Sequence, residues 1–500
     1  MFDVAIIGSG IGGLLSAVFL SKEGYKVCLI EKNKQLGGNL QTFSKEKELF
    51  DTGVHYLGGL DKGQNLYQIF KYAGLMDKLK LEKMDEGFDK ILIEGKQNSF
   101  TQSQGWEVFK STLISEFPEE AQAIENYHQK VIAVCEKFPL YHLKLEGDGH
   151  EKFSVMNEGV KEVIESITSN KTLQSVLVGN NILYASVGNK TPFYVHALVV
   201  NSYIQSSWKL QGGGSQIVKI LSGFIRNSGG EILRNKEVKE IVERDELISH
   251  LVLEDGSIVE SKQFISAISP AETLKMLHSE KIRSRYRLRI ENRENTISSF
   301  SLYIVLKAKT IRYENCNYYY QKGGRIWSLG DYDFDEWPLG YGLYFNRDRK
   351  NPEYASSISV LTLMKFEDVK KWRHTFHTSR YEVSRGVDYE RFKYERSEKL
   401  LDLVYEKFPQ LMGNISSFYA ATPLTNRDYI GQRDGAIYGV QKDNNTPLEN
   451  IISPRTKIPN LFLTGQNINL HGILGTSLSA ILTCTMLLGD NSLIDKIKNA

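Results

Sequence analysis

The sequence predicts an α/β protein: a Rossmann-like, dinucleotide-binding unit joined to an α+β remainder. Two observations predict the first part. A short apolar run, Val4-Ala5-Ile6-Ile7, leads into Gly8-Ser9-Gly10-Ile11-Gly12-Gly13, which satisfies GxGxxG. A second apolar stretch follows one helix length later and ends in Glu31. The third observation concerns the remainder. Residues 298–306 and 357–363 alternate as strands of one sheet with a covered face.

The elements follow in order. Residues 4–7 read as a buried parallel strand. Residues 14–22 read as a helix, which Gly24 ends, and 25–30 as the second strand. Gly8 permits the tight turn, Gly10 lets backbone approach a pyrophosphate, and Gly13 lets the helix pack close to the strand. Ser9, Ile11 and Gly12 complete the turn. The free N–H groups and positive end of the helix then face the phosphates. Glu31 accepts hydrogen bonds from a ribose diol and repels a 2′-phosphate, which disfavours NADP. Further on, Gly212-Gly213-Gly214-Ser215 opens a helix to about Asn227. Strands are expected over 231–233 and 238–242, with a hairpin over 251–260 around Asp255-Gly256. A separate strand is expected over 264–268. Asn317-Tyr318-Tyr319-Tyr320 fits ordinary strand packing better than a pocket wall.

Composition bounds the function. Five hundred residues exceed the usual size of one domain, and 41% hydrophobic residues suffice for a sizeable core. A net charge of +2 gives no reason to expect a nucleic-acid partner. Cys28, Cys135, Cys316 and Cys484 form no CxxC, which argues against a zinc site or disulfide framework and fits a reducing, cytoplasmic setting. The start, MFDVAIIGSG, reads directly as a strand, so no signal peptide is expected. His374 and His377 form HxxH without a third ligand nearby, and no metal is expected. Lys281, Arg283, Arg285, Arg287 and Arg289 read as a solvated basic face, with anionic lipid as the alternative contact. The apolar run 472–489 contains Thr476, Ser477, Ser479, Thr483 and Thr485 and is not expected to span a membrane.

After Glu31 the chain reads Lys32-Asn33-Lys34-Gln35-Leu36-Gly37-Gly38-Asn39. An NAD domain continues into further strand–helix units. Here a glycine pair arrives instead, and Phe50-Asp51-Thr52-Gly53-Val54-His55-Tyr56 follows. Glycines at both places suit backbone wrapped closely around a long ligand. The pattern resembles flavoproteins of the amine oxidase and phytoene desaturase superfamily. Four stretches narrow the resemblance to its retinol saturase and carotenoid isomerase branch: "FDTGVHYLGG" (50–59), "PFYVHALVVNSYIQSSWKLQGGGSQI" (192–217), "TPLTNRDYIGQRDGAIYG" (422–439) and "PNLFLTGQN" (459–467). They keep their order over most of the chain. Two positions depart. Asn39 stands where amine oxidases usually carry Arg, and Gly465-Gln466-Asn467 where the family has Gly-Gln-Asp.

The resemblance implies FAD, held by Gly8, Ser9, Gly10, Ile11, Gly12, Gly13, Glu31, Lys32, Gly37, Gly38, Asn39, His55, Val238, Gly465, Gln466, Asn467 and Gly475. It makes 461–463 the last strand of the flavin domain and aims a helix from about Gly475 at the isoalloxazine ring. The site is thus assembled from both chain ends. The implied flavin domain is discontinuous, over 1–75, 210–280 and 415–500. An interleaved substrate domain takes 76–209 and 281–414. The implied reaction is reduction of a C=C bond in a polyene or isoprenoid lipid. Carotenoid desaturation and isomerisation are the alternatives, and a lipid-binding escort protein is the alternative of another class. The substrate is hydrophobic, so an apolar tunnel and peripheral membrane contact are expected, with His55, Tyr56 and His471 as candidate proton donors. His196 lies within the same motifs. One GxGxxG leaves the electron donor unnamed.

Overall fold

A computed structural model of the chain describes residues 1–145 and 151–500. Residues 146–150, which fall in the expected substrate domain, lie outside the described residues.

The apolar runs at both ends of the chain meet in one sheet. Its parallel part runs in the order Glu231–Arg234, Val27–Glu31, Phe2–Ile7, Ile258–Ser266, Leu461–Leu463. Val4 to Ile6 and Val27 to Leu29 are fully buried, as a sheet covered on both faces requires. Leu247–Leu253 and Val238–Arg244 extend it as an antiparallel edge. The expectation of two strands at 258–260 and 264–268 is corrected: Ile258–Ser266 is continuous. Its first part pairs antiparallel with 250–252, and the rest pairs in parallel with Phe2–Ile7 and Leu461–Leu463. Polar Ser261-Lys262-Gln263 reads as a break. Yet Ser261 and Gln263 stay in register with Phe2 and Val4, so the ladder holds backbone that the side chains alone do not favour.

The helix Ile11–Lys22 begins three residues before its expected start, taking in Gly12 and Gly13. It packs on the helix Gly472–Leu488 from the other end of the chain. Three buried hydroxyls of the second helix are satisfied by its own backbone. The hydroxyls of Ser477, Ser479 and Thr483 donate to carbonyls one turn back, at 2.7, 3.0 and 2.8 Å, and so tolerate burial. No helix among the described residues is long and apolar enough to cross a membrane.

A second sheet of seven strands has the order Ile415–Ala421, Ser298–Leu306, Ala355–Met364, Gly340–Arg347, Asn317–Gln321, Asp89–Ile93, Phe100–Gln102. Neighbours are antiparallel except Asn317–Gln321 beside Asp89–Ile93. Ser298–Leu306 is buried at every residue, so both its faces are covered, not one. Phe43 and Phe50 pack on Tyr303 on one side, at ring separations of 4.7 and 5.4 Å. Trp337 packs on Phe300 on the other at 5.4 Å. Ile415–Ala421 belongs to this sheet by its pairing, whereas the boundary drawn at 415 from the sequence sets it with the first.

Gly212-Gly213-Gly214 is a turn into the helix Ser215–Asn227. Gly213 has φ +81°, and the Gly214 N–H donates to Asp51 at 2.7 Å. The carboxylate of the FDTG stretch thus meets an open N–H at a helix start.

Candidate functional site

The carboxyl ends of the parallel strands converge on one cavity of about 650 Å³. Ile7, Glu31, Ala267 and Gly465 come from four of those ends and all line it. Open α/β sheets present their ligand crevice at this place.

The glycines of the first turn divide by cause. Gly8 has φ +96°, and a Cβ on Gly13 would stand 2.0 Å from the Gly8 carbonyl oxygen. The protein itself demands glycine at both. Gly10 differs. Its φ is −60°, which any residue adopts, and a Cβ there would meet no protein atom within 4 Å. The space before Gly10 is the cavity, so a side chain there would intrude on whatever the cavity holds. Gly37, at φ +115°, bridges Gly10 and brings the glycine pair against the same turn.

Ser9 ties these parts together. Its N–H and Oγ both donate to Glu31 Oε2, at 3.0 and 2.7 Å, and its Oγ accepts the Gly37 N–H at 3.1 Å. Glu31 Oε1 accepts the Asn33 N–H at 2.9 Å. The carboxylate is 7% exposed and fixed on the cavity wall. Lys32, Asn39 and Val238 line the same end, with Lys236 and Lys239 beside them. All the residues named above as cofactor contacts line the cavity except Gly13 and Asn467. Gly13 serves the helix–strand approach. Asn467 faces away: its Oδ1 accepts the Val440 N–H at 2.9 Å, a bond to neutral backbone for which an amide suffices. The C-terminal helix starts at Gly472, not Gly475, with His471 at its cap. Gly475 remains on the wall one turn in.

The other end of the cavity is walled by Tyr203, Tyr344, Tyr438, Leu198, Ile437 and Leu474. His55, Tyr56 and His471 line it as well. His55 stacks on Tyr344 with ring centroids 4.0 Å apart and planes at 6°. Burial, then the charge of Lys209, lowers its pKa to about 4. His471 lies against Tyr438 at 4.4 Å, and its Nε2 is buried without a hydrogen-bond partner. Burial, then Lys442, lowers its pKa to about 4 against a smaller opposing bond to the Leu183 backbone. Both imidazoles are therefore neutral acceptor–donors, not cations. The Tyr56 hydroxyl turns into the protein, donating to Asp89 at 2.8 Å and lying 2.8 Å from the Tyr319 hydroxyl. His196 is not on the wall. Tyr127 and Tyr184 hold its two ring nitrogens at 2.9 and 2.8 Å. The stretch 317–320 forms the strand Asn317–Gln321 and does not line the cavity.

Sequence reasoning passed over Asp89, Tyr203, Tyr344 and Tyr438. Tyr203 and Tyr438 stand inside the quoted stretches. Asp89 and Tyr344 carry no local signal, and strand pairing alone brings them together. Among the described residues no group of three His, Cys, Asp or Glu could hold a metal ion. The His377 ring contacts the Val383 carbonyl oxygen at 3.0 Å.

These residues fit a dinucleotide. A glycine floor leaves room at Gly10, a helix presents its N-terminus, and Glu31 offers a fixed acceptor for a ribose. The cavity continues to an aromatic end where the orphaned His471 Nε2 waits for a partner.

Comparison with known proteins agrees with this architecture. The NAD(P)-binding Rossmann-like domain matches residues 6–73. The chain is 27% identical to the all-trans-retinol 13,14-reductase of Rattus norvegicus, over 98% of this chain and 86% of that protein. It is 22% identical to prolycopene isomerase 2 of an Oncidium hybrid cultivar, over 88% of this chain and 75% of the other. Among solved structures, a redesigned putrescine oxidase superposes with a TM-score of 0.66 over 98% of this chain and 99% of its own, at 11% identity. That last likeness is one of fold.

Proposed function

We propose that this chain is an FAD-dependent oxidoreductase that saturates a carbon–carbon double bond of a polyene or isoprenoid lipid, in the manner of a retinol saturase. One observation carries the reading. A single cavity joins the Gly8–Gly13 turn and Glu31 at one end to a tyrosine- and leucine-walled end at the other. Bound there, FAD supplies hydride exchange with a C=C bond. The chain's own residues do the rest. Gly10, Gly12 and the start of Ile11–Lys22 receive the pyrophosphate, and Glu31 accepts from the adenosine ribose. Tyr203, Tyr344 and Tyr438 offer flat faces to a conjugated chain, and the aliphatic residues between them exclude water. The likeness to a prolycopene isomerase supports a second reading, isomerisation without net electron transfer.

The substrate class also suggests peripheral contact with lipid. On the helix Ser284–Glu291, Leu288 is 55% exposed, and Arg283, Arg285 and Arg289 are exposed near it. Arg287 is not part of that face, since its guanidinium donates to the carbonyls of Leu274 and Leu277.

The reading is tested by purifying the protein and titrating its flavin. FAD at close to one per chain, reoxidised anaerobically by a conjugated isoprenoid after reduction, is the expected result. Reduction of the flavin by amines with no response to polyenes would replace this reading with amine oxidation.

A further inference from the structure

Saturating a double bond needs one proton per turnover as well as a hydride. The two neutral imidazoles on the wall hold no spare proton near neutral pH. A different group is built to hold one. Asp89 opens the strand Asp89–Ile93 and is fully buried. No lysine or arginine pairs with it among the described residues. Its carboxyl instead meets three neutral donors: Tyr56 Oη at 2.8 Å, Asn317 Nδ2 at 2.9 Å and Asn180 Nδ2 at 3.3 Å. Strand register places Asn317 beside it, and Gln102, its partner on the other flank, holds Asn180 at 3.0 Å.

From this carboxyl a line of hydroxyls leads back to the cavity. Tyr56 Oη lies 2.8 Å from Tyr319 Oη, and Tyr344 Oη lies 3.3 Å from Tyr319 Oη. Each hydroxyl can donate and accept at once, so a proton can move one place along the line. Tyr344 is on the cavity wall, its ring fixed by the stack on His55. The backbone makes room for its hydroxyl, since a Cβ on Gly342 would stand 2.5 Å from that oxygen.

We propose that Asp89 is the proton reservoir of the reaction, delivering through Tyr56 and Tyr319 to Tyr344, which protonates the substrate. The inference rests on the C=C reduction proposed above. A hydride arriving at one alkene carbon leaves an electron pair on the other. That pair takes the Tyr344 proton, forming C–H as O–H breaks. Tyr344 regains a proton from Tyr319, Tyr319 from Tyr56, and Tyr56 from the Asp89 carboxylic acid. Asp89 is left as carboxylate and is reprotonated from solvent. Tyr344 is the catalytic residue in this scheme, and Asp89 is a positioning residue acting through it. Burial raises the Asp89 carboxyl to about 7, against the lowering by its three donors and by Lys209, so both forms are accessible near neutrality. The titratable groups facing it are Tyr56, Tyr203, Tyr319, Tyr344 and Lys209, with His55 behind Tyr344.

The test uses the FAD-loaded full chain and the variants Asp89→Asn and Tyr344→Phe. Asp89→Asn keeps the size and most hydrogen bonds but has no acid proton. Two readouts are needed. The first is the infrared band of a buried protonated carboxyl, followed against pH without substrate. The component of that band lost in Asp89→Asn should titrate near neutrality in the wild type, while the component from Asp51, which burial also raises to about 7, remains. The second is anaerobic reoxidation of reduced enzyme by all-trans-retinol in H2O and D2O. Both variants should slow it by roughly a hundredfold, the range of a lost general acid. They should also change the solvent isotope effect, which a merely structural role would not move. Wild-type rates and isotope effects in either folded variant would overturn the relay while leaving the saturase reading intact. A wild type that reduces no polyene would overturn the saturase reading and the relay with it, even with the carboxyl band present. If Asp89→Asn does not fold, Tyr344→Phe alone decides, because it leaves the Asp89 cage untouched.

Discussion

Ser9 and Glu31, twenty-two residues apart, are joined twice: the backbone N–H and the hydroxyl of Ser9 both donate to one carboxylate oxygen of Glu31. The acid that closes the second strand therefore also holds the glycine turn that follows the first. Glu31→Ala is expected to loosen FAD in two ways, by removing a ribose acceptor and by freeing the turn. Each charge-assisted hydrogen bond lost in this buried setting costs roughly 1.5–3 kcal/mol. Dilution and gel filtration of the loaded protein should show flavin release. Full retention would show that Glu31 does not reach the ribose.

Gly10→Val and Gly13→Ala separate ligand exclusion from backbone exclusion. The first adds a side chain that meets only open cavity, so the apoprotein should melt as the wild type does while FAD binding is lost. The second forces a Cβ against the Gly8 carbonyl oxygen and should destabilise the apoprotein itself. Overpacking of this kind costs about 1–3 kcal/mol. Comparing apoprotein melting with flavin content distinguishes the two. Equal melting losses in both would refute the distinction.

His196 gives a pH signature independent of the cofactor. Burial lowers its pKa from 6.5 to about 3, between the hydroxyls of Tyr127 and Tyr184. Above pH 6.5 it is neutral in both folded and unfolded chains and adds no slope. As pH falls below 6.5 the unfolded chain gains a proton that the folded chain refuses, so stability falls toward pH 3 and then levels. His196→Gln should flatten the acid limb by up to about 1.4 kcal/mol per pH unit relative to the wild type. Denaturant titrations at several pH values measure this. An unchanged limb would mean that His196 is protonated in the fold.

Membrane contact predicts flotation with anionic liposomes, reversed by high salt. Leu288→Asp should weaken it, because the exposed Leu288 lies among arginines on the helix Ser284–Glu291. Protein that stays unbound across lipid compositions would remove this part of the proposal.

Much of the first sheet was legible because its signals are local. Val4 to Glu31 carries its own strand, turn, helix and acid within thirty residues, and each residue type has one physical task. Between 258 and 266 the polar residues Ser261-Lys262-Gln263 look like a break in the sequence, although the strand is continuous and paired. Asn467 reads as a cofactor contact by its place in a motif, whereas in the fold its Oδ1 accepts the Val440 N–H. The aromatic end of the cavity was least legible. Tyr344 and Asp89 come from strands with Asn317–Gln321 between them, and nothing near either in the chain announces the other. Such juxtaposition belongs to topology, not to local pattern.

The most direct measurement mixes photoreduced, FAD-loaded protein with all-trans-retinol and a small panel of carotenoids without oxygen, then weighs the product as the flavin is followed. The account predicts flavin reoxidation and a product heavier by two hydrogens. An unchanged mass with altered retention would mark an isomerase, and loss of two hydrogens on oxidised protein a desaturase. A flavin that exchanges no electrons with any of these lipids would contradict the account and favour a lipid-escort protein.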